Sequence, residues 1–200
     1  MTELTVDTQL SPEDTRTLFD GRTVNAFEDV EVTAEQMRGI YDLTKMGPTA
    51  FNSQPLRIVW VPRGEARERL VSHMSSGNKA KTEAAPMVAV LAVDEKWHHR
   101  FADFLPARPQ IGQMYLDDED FASAAGRDNA FIQVGYFVMA VRAMGLAAGP
   151  MTGFDAAGVN EDLLAERGLR SLVVVNIGKG VEPEHGRGPR FSFEDSTITL

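Results

Sequence analysis

The sequence predicts a single α+β domain over residues 1–200, and three observations carry that reading. Short apolar runs at 57–61, 87–93 and 171–178 have the length and composition of buried strands. A much longer stretch, 122–144, keeps helical spacing throughout. Strands and helices do not alternate regularly enough for a doubly wound sheet, and 200 residues with 43% hydrophobic side chains suit one core.

In chain order, "SPED" at 11–14 starts a helix: Ser11 caps, Pro12 suits the first turn and Asp14 closes a box. That helix runs to about Asp20. Thr33 and Gln36 form a second capping box, followed by Met37, Ile40, Leu43 and Met46 at helical spacing, with Gly47 as the terminating glycine. "RIVWV" is the first strand and "GEARERLVSHM" a helix; "MVAVLAV" at 87–93 is the second strand. Residues 95–121 are aromatic and proline-bearing, and read as a short helix within an irregular excursion. The 122–144 helix sets Phe131, Val134, Val138 and Val141 on one face and adds Phe137 and Met139 elsewhere, so it is expected to be buried nearly all round. "GLAAGPMTGFD" reads as the turn that ends it. "SLVVVNIG" is the third strand, and the tail closes on a strand-like "STITL". There is no internal repeat and no low-complexity linker.

Composition removes whole classes of function. A net charge of −9 argues against nucleic acid or an anionic membrane surface as partner. The absence of cysteine removes disulfides, thiolate catalysis, iron–sulfur clusters and cysteine zinc sites. The start, "MTELTVDTQLSPED", is acidic and unlike a signal peptide, and the longest apolar run, 84–93, falls far short of the roughly 20 residues that span a bilayer. A soluble cytoplasmic protein is expected. No strand is followed by G-x-G-x-x-G, and no P-loop or G-x-S-x-G elbow occurs. The four histidines, His73, His98, His99 and His185, lack metal-site spacing, and His98–His99 reads as an exposed helix face. No metal site is predicted.

Four polar segments then remain at element ends: "GRTVNAF" at 21–27, "GPTAFNSQP" at 47–55, "SSGNKAKTEAAP" at 75–86 and "GRGPR" at 186–190. Singly, each has a bland explanation. Arg22 could be a solvated charge at a helix end, Asn52 and Gln54 turn residues, and "SGNK" a helix-ending turn.

Together they resemble the flavin-dependent nitroreductase family. "GPTAFNSQP" is similar to that family's P-[ST]-x-x-N-x-Q-P segment, "GRTVN" to its first motif, and "GNKAK…AP" to its Asn-x-x-Lys pair. "GPMTGF" matches the turn after the central helix, and "RGP" the C-terminal Arg-x-Pro. The five occur in the family's order over nearly the whole chain. "MGPTAFNSQPLRIV", "SSGNKAKT", "LAAGPMTGFD" and "PRFSFED" resemble the branch that contains malonic semialdehyde reductase and the NADH dehydrogenase/nitroreductase proteins.

The resemblance implies a nitroreductase-like fold: a central, mostly antiparallel sheet flanked by helices, in an intertwined homodimer whose C-terminal tail, from about Arg190, is exchanged. It implies FMN as cofactor, NAD(P)H as co-substrate and ping-pong hydride transfer to a small-molecule acceptor. Arg22 and Arg187, with Arg190 nearby, are implied for the phosphate, and Thr23 and Asn25 for the ribityl chain or ring edge. Asn78 is implied for the pyrimidine edge and Lys81 for the charge that develops near N1. Pro150, Met151, Thr152 and Gly153 are implied beside N5, with a backbone N–H of Thr152 facing it, and Gly149 and Gly153 allowing close approach. Pro48, Thr49, Ala50 and Asn52 would reach the flavin of the other subunit. No side chain is implied as acid or nucleophile, since the cofactor carries the chemistry. The chain departs from the family pattern in having Gly21 before Arg22 and Asn25 in the later position.

The branch implies reduction of malonic semialdehyde, or a similar short acidic aldehyde, to the hydroxy acid. Arg100, Arg108 and Arg127 are candidate anchors for its carboxylate, and Phe101, Phe104 and Tyr115 candidate walls of the acceptor pocket. A general nitroaromatic or quinone reductase, a dehalogenating flavoprotein, a non-catalytic flavin-binding protein and a plain α+β interaction domain are the alternatives.

Overall fold

The computed structural model describes residues 9–182 and 186–200; the acidic start of the chain and His185 lie outside them. α1 (Pro12–Thr15) begins as expected, with the Asp14 N–H donating to Ser11 Oγ at 3.0 Å, and continues as a π-helical turn, Arg16–Asp20. α2 (Ala34–Thr44) carries both halves of its capping box: Gln36 N–H donates to Thr33 Oγ1 at 3.1 Å and Thr33 N–H to Gln36 Oε1 at 2.9 Å. This helix stops three residues short of Gly47, which does not take a left-handed conformation. Gly47 is instead a close-contact position, since a Cβ there would lie 2.8 Å from the Tyr136 ring.

β1 (Leu56–Val61), α3 (Glu65–His73), α4 (Ser76–Ala84) and β2 (Met87–Asp94) follow. The "SGNK" segment forms the first turn of α4 rather than the end of α3. The excursion is a chain of single turns, including α5 (Phe101–Phe104) and α6 (Gln113–Leu116). α7 (Glu119–Ala143) is the long helix, capped by Asp118. β3 (Ala147–Met151), α8 (Ala156–Val159), β4 (Leu169–Gly178) and α9 (Phe193–Ser196) complete the described chain.

One sheet runs β1-β2-β4-β3, with every neighbouring pair antiparallel. Both faces are covered, which is why its central strands read as unbroken apolar runs. Ala89, Leu91 and Val93 of β2 face one way, with Val173, Val175 and Ile177 of β4, onto Phe137 and Val141 of α7 and Ile40 of α2. Val88, Val90 and Ala92 face the other way with Val174, onto Leu70 of α3, Val159 of α8 and Leu164. A separate aromatic cluster of Trp97, Phe101 and Tyr115 packs on Ala122.

Four sequence expectations are corrected. "AAGPM", read as part of a turn, is strand β3; Gly and Pro suppress its strand signal, and an edge position against β4 tolerates them. "STITL" forms no strand, because no described segment of the chain pairs with it. α7 is not buried all round: Phe121, Phe131, Ile132 and Tyr136 are exposed, while Ala130, Val134, Phe137 and Val141 face the core. His98 is also corrected, from exposed to buried. Among the described residues no helix is long and apolar enough to cross a membrane, and no cluster of ligating side chains has the makings of a metal site.

Candidate functional site

The first half of the site is a cationic corner. The segment after the π-helical turn passes over the edge of the sheet, where a Cβ on Gly149 of β3 would sit 3.1 Å from the Val24 carbonyl. Arg22, Thr23 and Asn25 lie along it, and the tail returns beside it with Arg187 and Arg190. Arg187 donates to the carbonyl of Asp20 at 2.7 Å, tying the tail to the end of that turn. Arg142 arrives from the last turn of α7 and donates to the carbonyls of Leu18 at 2.8 Å and Gly21 at 2.7 Å. A cavity of about 530 Å³ is lined by Arg22, Thr23, Asn25, Arg142, Arg187 and Arg190.

Charge is concentrated there. Arg22 pairs with Glu182 at 3.1 Å, and Arg187 has Asp20 at 3.8 Å. Among the described residues, Arg142 and Arg190 hydrogen-bond to carbonyls and make no ion pair. Burial lowers the pKa of the Arg142 guanidinium, and the like charge of Arg187 lowers it further. Such a corner suits an anion, since forked guanidinium groups match the oxygens of a phosphate or carboxylate.

The corner continues into an amide-lined wall. Lys81 of α4 donates to Asn25 Oδ1 at 3.3 Å, joining the first and third polar segments. One turn earlier, Asn78 Nδ2 donates to the Gly153 carbonyl at 2.8 Å, and the same carbonyl accepts the Ser75 N–H at 3.1 Å. Asn78 therefore holds the turn after β3 and keeps its own carbonyl available. A Cβ at Gly153 would lie 2.7 Å from Asn78 Nδ2, so glycine is what lets the turn dock on α4. Pro150 and Thr152 are exposed and Met151 is buried beneath them. α4 is itself pinned by Arg67, a buried guanidinium that donates to the carbonyls of Val61, Thr82 and Ala85 and whose pKa burial lowers to about 10.

The second half is the loop of residues 48–54. Phe51, Asn52 and Gln54 all have positive φ, at 53°, 58° and 44°. Side chains of that kind in this region mark a conformation imposed by surroundings. The surroundings are two amides one turn apart on α7: Ala50 N–H donates to Asn129 Oδ1 at 2.6 Å, and Leu56 N–H to Gln133 Oε1 at 3.0 Å. Asn52 reaches the Phe104 carbonyl at 3.2 Å, and Thr49 Oγ1 accepts from Gln54 N–H at 3.2 Å. Pro48, Ala50 and Asn52 are exposed and Thr49 half-buried. A cavity of about 570 Å³ lies beside the loop, lined by Gln54, Lys45, Arg57, Trp60 and Arg100 among others.

The chain thus brings Arg22, Thr23, Asn25, Asn78, Lys81, Gly153, Arg187 and Arg190 into one connected set, and leaves Pro48, Thr49, Ala50 and Asn52 in another. The two cavities share no lining residue. Phe101 and Tyr115, candidate pocket walls, are buried in the aromatic cluster with Trp97. Of the candidate anchors, Arg100 is paired with Asp103 and lines the second cavity, while Arg127 lies over the Phe131 ring. Sequence reasoning missed Arg142, Asn129 and Gln133. The signal for each was a polar residue inside the apolar pattern of the long helix, at a position that should face the core.

A sequence profile described as "Nitroreductase family" matches residues 21–179. A Streptomyces griseus protein named "Putative NADH dehydrogenase/NAD(P)H nitroreductase" is 47% identical over 182 residues, covering 90% of this chain and 92% of the relative. Among solved structures, a "putative nitroreductase in complex with FMN" from Exiguobacterium sibiricum superposes with a TM-score of 0.85 at 16% identity, covering 97% of this chain and 100% of its own. The NADPH:FMN oxidoreductase of Vibrio harveyi, complexed with NAD+, superposes with a TM-score of 0.73 at 22% identity, covering 93% and 76%.

Proposed function

The chain belongs to the nitroreductase family, and from that premise we propose that it is a cytoplasmic, homodimeric, FMN-dependent NAD(P)H oxidoreductase whose acceptor is malonic semialdehyde or a similar short acidic aldehyde. The observation that carries the reading is the juxtaposition of an arginine-lined corner with the Asn25–Lys81–Asn78–Gly153 wall, because FMN needs a cationic seat for its phosphate beside hydrogen-bonding edges for its ring. The donor set fits it: guanidinium groups at one end, amides and one ammonium at the other, and glycines where backbone meets neighbour.

In this reading Arg22 and Arg187 hold the phosphate, and Thr23 and Asn25 orient the ribityl chain or the ring edge. Lys81, held by Asn25, offers a fixed positive charge that favours negative charge on the ring edge beside it. Asn78 fixes the turn so that the Thr152–Gly153 backbone can lie close to a flat ligand. When bound, FMN would supply the hydride chemistry, receiving from NAD(P)H and passing on to the acceptor. The loop of Pro48, Thr49, Ala50 and Asn52 completes the site of a second copy of the chain. The exposed Phe131, Ile132 and Tyr136 of α7, with Phe191, Phe193, Ile198 and Leu200 of the tail, supply apolar surface for that association.

Support for the acidic aldehyde comes from the resemblance in "MTGFD" and "PRFSFED". The name of the Streptomyces griseus relative favours a second acceptor class, nitroaromatics. The deciding experiment reduces the flavin-loaded protein with NADH or NADPH and follows its reoxidation by malonic semialdehyde, menadione and a nitrofuran. Fast reoxidation by the aldehyde is expected. Reoxidation by the aromatic acceptors alone would leave a general reductase, and a flavin that NAD(P)H does not bleach would sink the enzyme reading. Sedimentation that gave a flavin-loaded monomer would remove the shared site.

A further inference from the structure

Gly21 is a glycine without a conformational reason: its φ of −54° and ψ of 130° are open to any residue. What the position lacks is room. A Cβ built there would lie 2.6 Å from Arg142 Nε and 3.1 Å from its Cζ, so the guanidinium of Arg142 stands where the side chain of residue 21 would begin. That guanidinium donates to the carbonyl of Gly21 itself and to that of Leu18, and it lines the cationic cavity with Arg22 and Arg187. It makes no ion pair among the described residues and is set beside Arg187, whose like charge adds to burial in lowering its pKa. Arg187 has Asp20 at 3.8 Å, but among the described residues no carboxylate pairs with Arg142, so an anionic ligand would relieve the repulsion between the two half-buried cations.

We propose that Arg142 is a further anion-binding residue of the cationic corner. Its guanidinium fills the space that a side chain at position 21 would take, and its carbonyl contacts hold it there, facing the cavity it shares with Arg22 and Arg187. The ligand class is a phosphate monoester, as at the end of FMN, and the inference rests on the flavin reading of the site. Two of the five guanidinium N–H groups are committed to the carbonyls and a third faces Met139 Sδ at 4.0 Å, so others remain to reach an oxyanion.

The test titrates apoprotein with FMN and with riboflavin, which lacks the phosphate, and follows the quenching of flavin fluorescence. The wild type should bind FMN more tightly than riboflavin. Arg142→Gln should lower FMN affinity about 10- to 100-fold, the range expected for a charge-assisted contact, and leave riboflavin affinity unchanged. Arg142→Lys should recover part of the loss. Gly21→Ala should reproduce the defect through displacement of a flexible side chain, without harm to the backbone, and should add little in the Arg142→Gln background. This variant keeps the test open if Arg142→Gln does not fold. Equal losses for FMN and riboflavin would overturn the proposal and leave Arg142 as a support of the fold alone. A wild type that does not discriminate between the two flavins would instead overturn the phosphate assignment of the corner, and the proposal with it.

Discussion

The cationic corner and the left-handed loop lie in one chain and are built on opposite principles. At the corner the backbone is ordinary and the charges are unusual: four arginines line one cavity, three of them held by backbone carbonyls and Arg22 by Glu182. At the loop the charges are modest and the backbone is unusual, with three non-glycine residues at positive φ within four positions. The same helix braces both. Arg142 near the end of α7 fixes the corner, and Asn129 and Gln133 in its middle fix the loop. The lesson is that a site can be prepared in two ways, by storing like charge or by storing backbone strain. Each needs a rigid neighbour to prevent relaxation.

That comparison breaks most sharply at the corner. Replacing Arg22 and Arg187 together with Gln should cut FMN affinity by at least about a hundredfold, since in the proposed site each would contribute charge-assisted bonds of about 1.5–3 kcal/mol. Fluorescence titration would check this, and an affinity within a few-fold of wild type would mean that the corner does not hold the phosphate. The loop should respond in stability rather than affinity. Asn129→Ala removes the acceptor of the Ala50 N–H and should cost about 0.5–1.5 kcal/mol in urea denaturation, the usual net worth of a neutral hydrogen bond. No change would show that the loop holds its shape without α7.

A finer test compares two substitutions at one position. Phe51→Gly and Phe51→Ala both lose the ring that tilts against Phe101 at 6.3 Å. Only glycine is at ease at φ 53°, so the Gly variant should be the more stable of the two by about 1 kcal/mol. Equal stabilities would mean that the loop has relaxed to an ordinary conformation.

The smallest expected effect is a pH dependence confined to the loop side, where Asn52 and Phe51 lean on the excursion. Burial lowers the pKa of His98, and neighbouring His99 adds to the shift, against opposing pulls from Asp94 and Glu119. Its folded pKa lies below the ordinary 6.5, so the unfolded chain takes the proton first as pH falls. The stability is full above pH 6.5 and is lost as pH falls below it towards the folded value. His98→Phe, which keeps an aromatic beside Trp97, should flatten urea-denaturation stability between pH 7.5 and 5.5. A slope the same as wild type would place the titrating group elsewhere.

The sequence by itself determined the strands β1, β2 and β4 and the helices α2, α3 and α7, because each is a run of apolar residues at a fixed period between capping and turn residues. It also picked out the four polar segments, since polar residues beside a core demand a reason. It could not give β3, whose pairing is a property of the neighbouring strand rather than of "AAGPM", nor deny the tail a strand, since pairing requires a partner. Only the tertiary structure brought Arg142 to the corner and Asn129 and Gln133 to the loop. A lone polar residue in an apolar helix records that something polar is near, and its partner lies 79, 77 or 121 positions away, where no local spacing can point. Tertiary structure likewise divided the polar segments into a connected corner and a separate loop, because proximity across the fold is set by packing on the sheet and not by order along the chain.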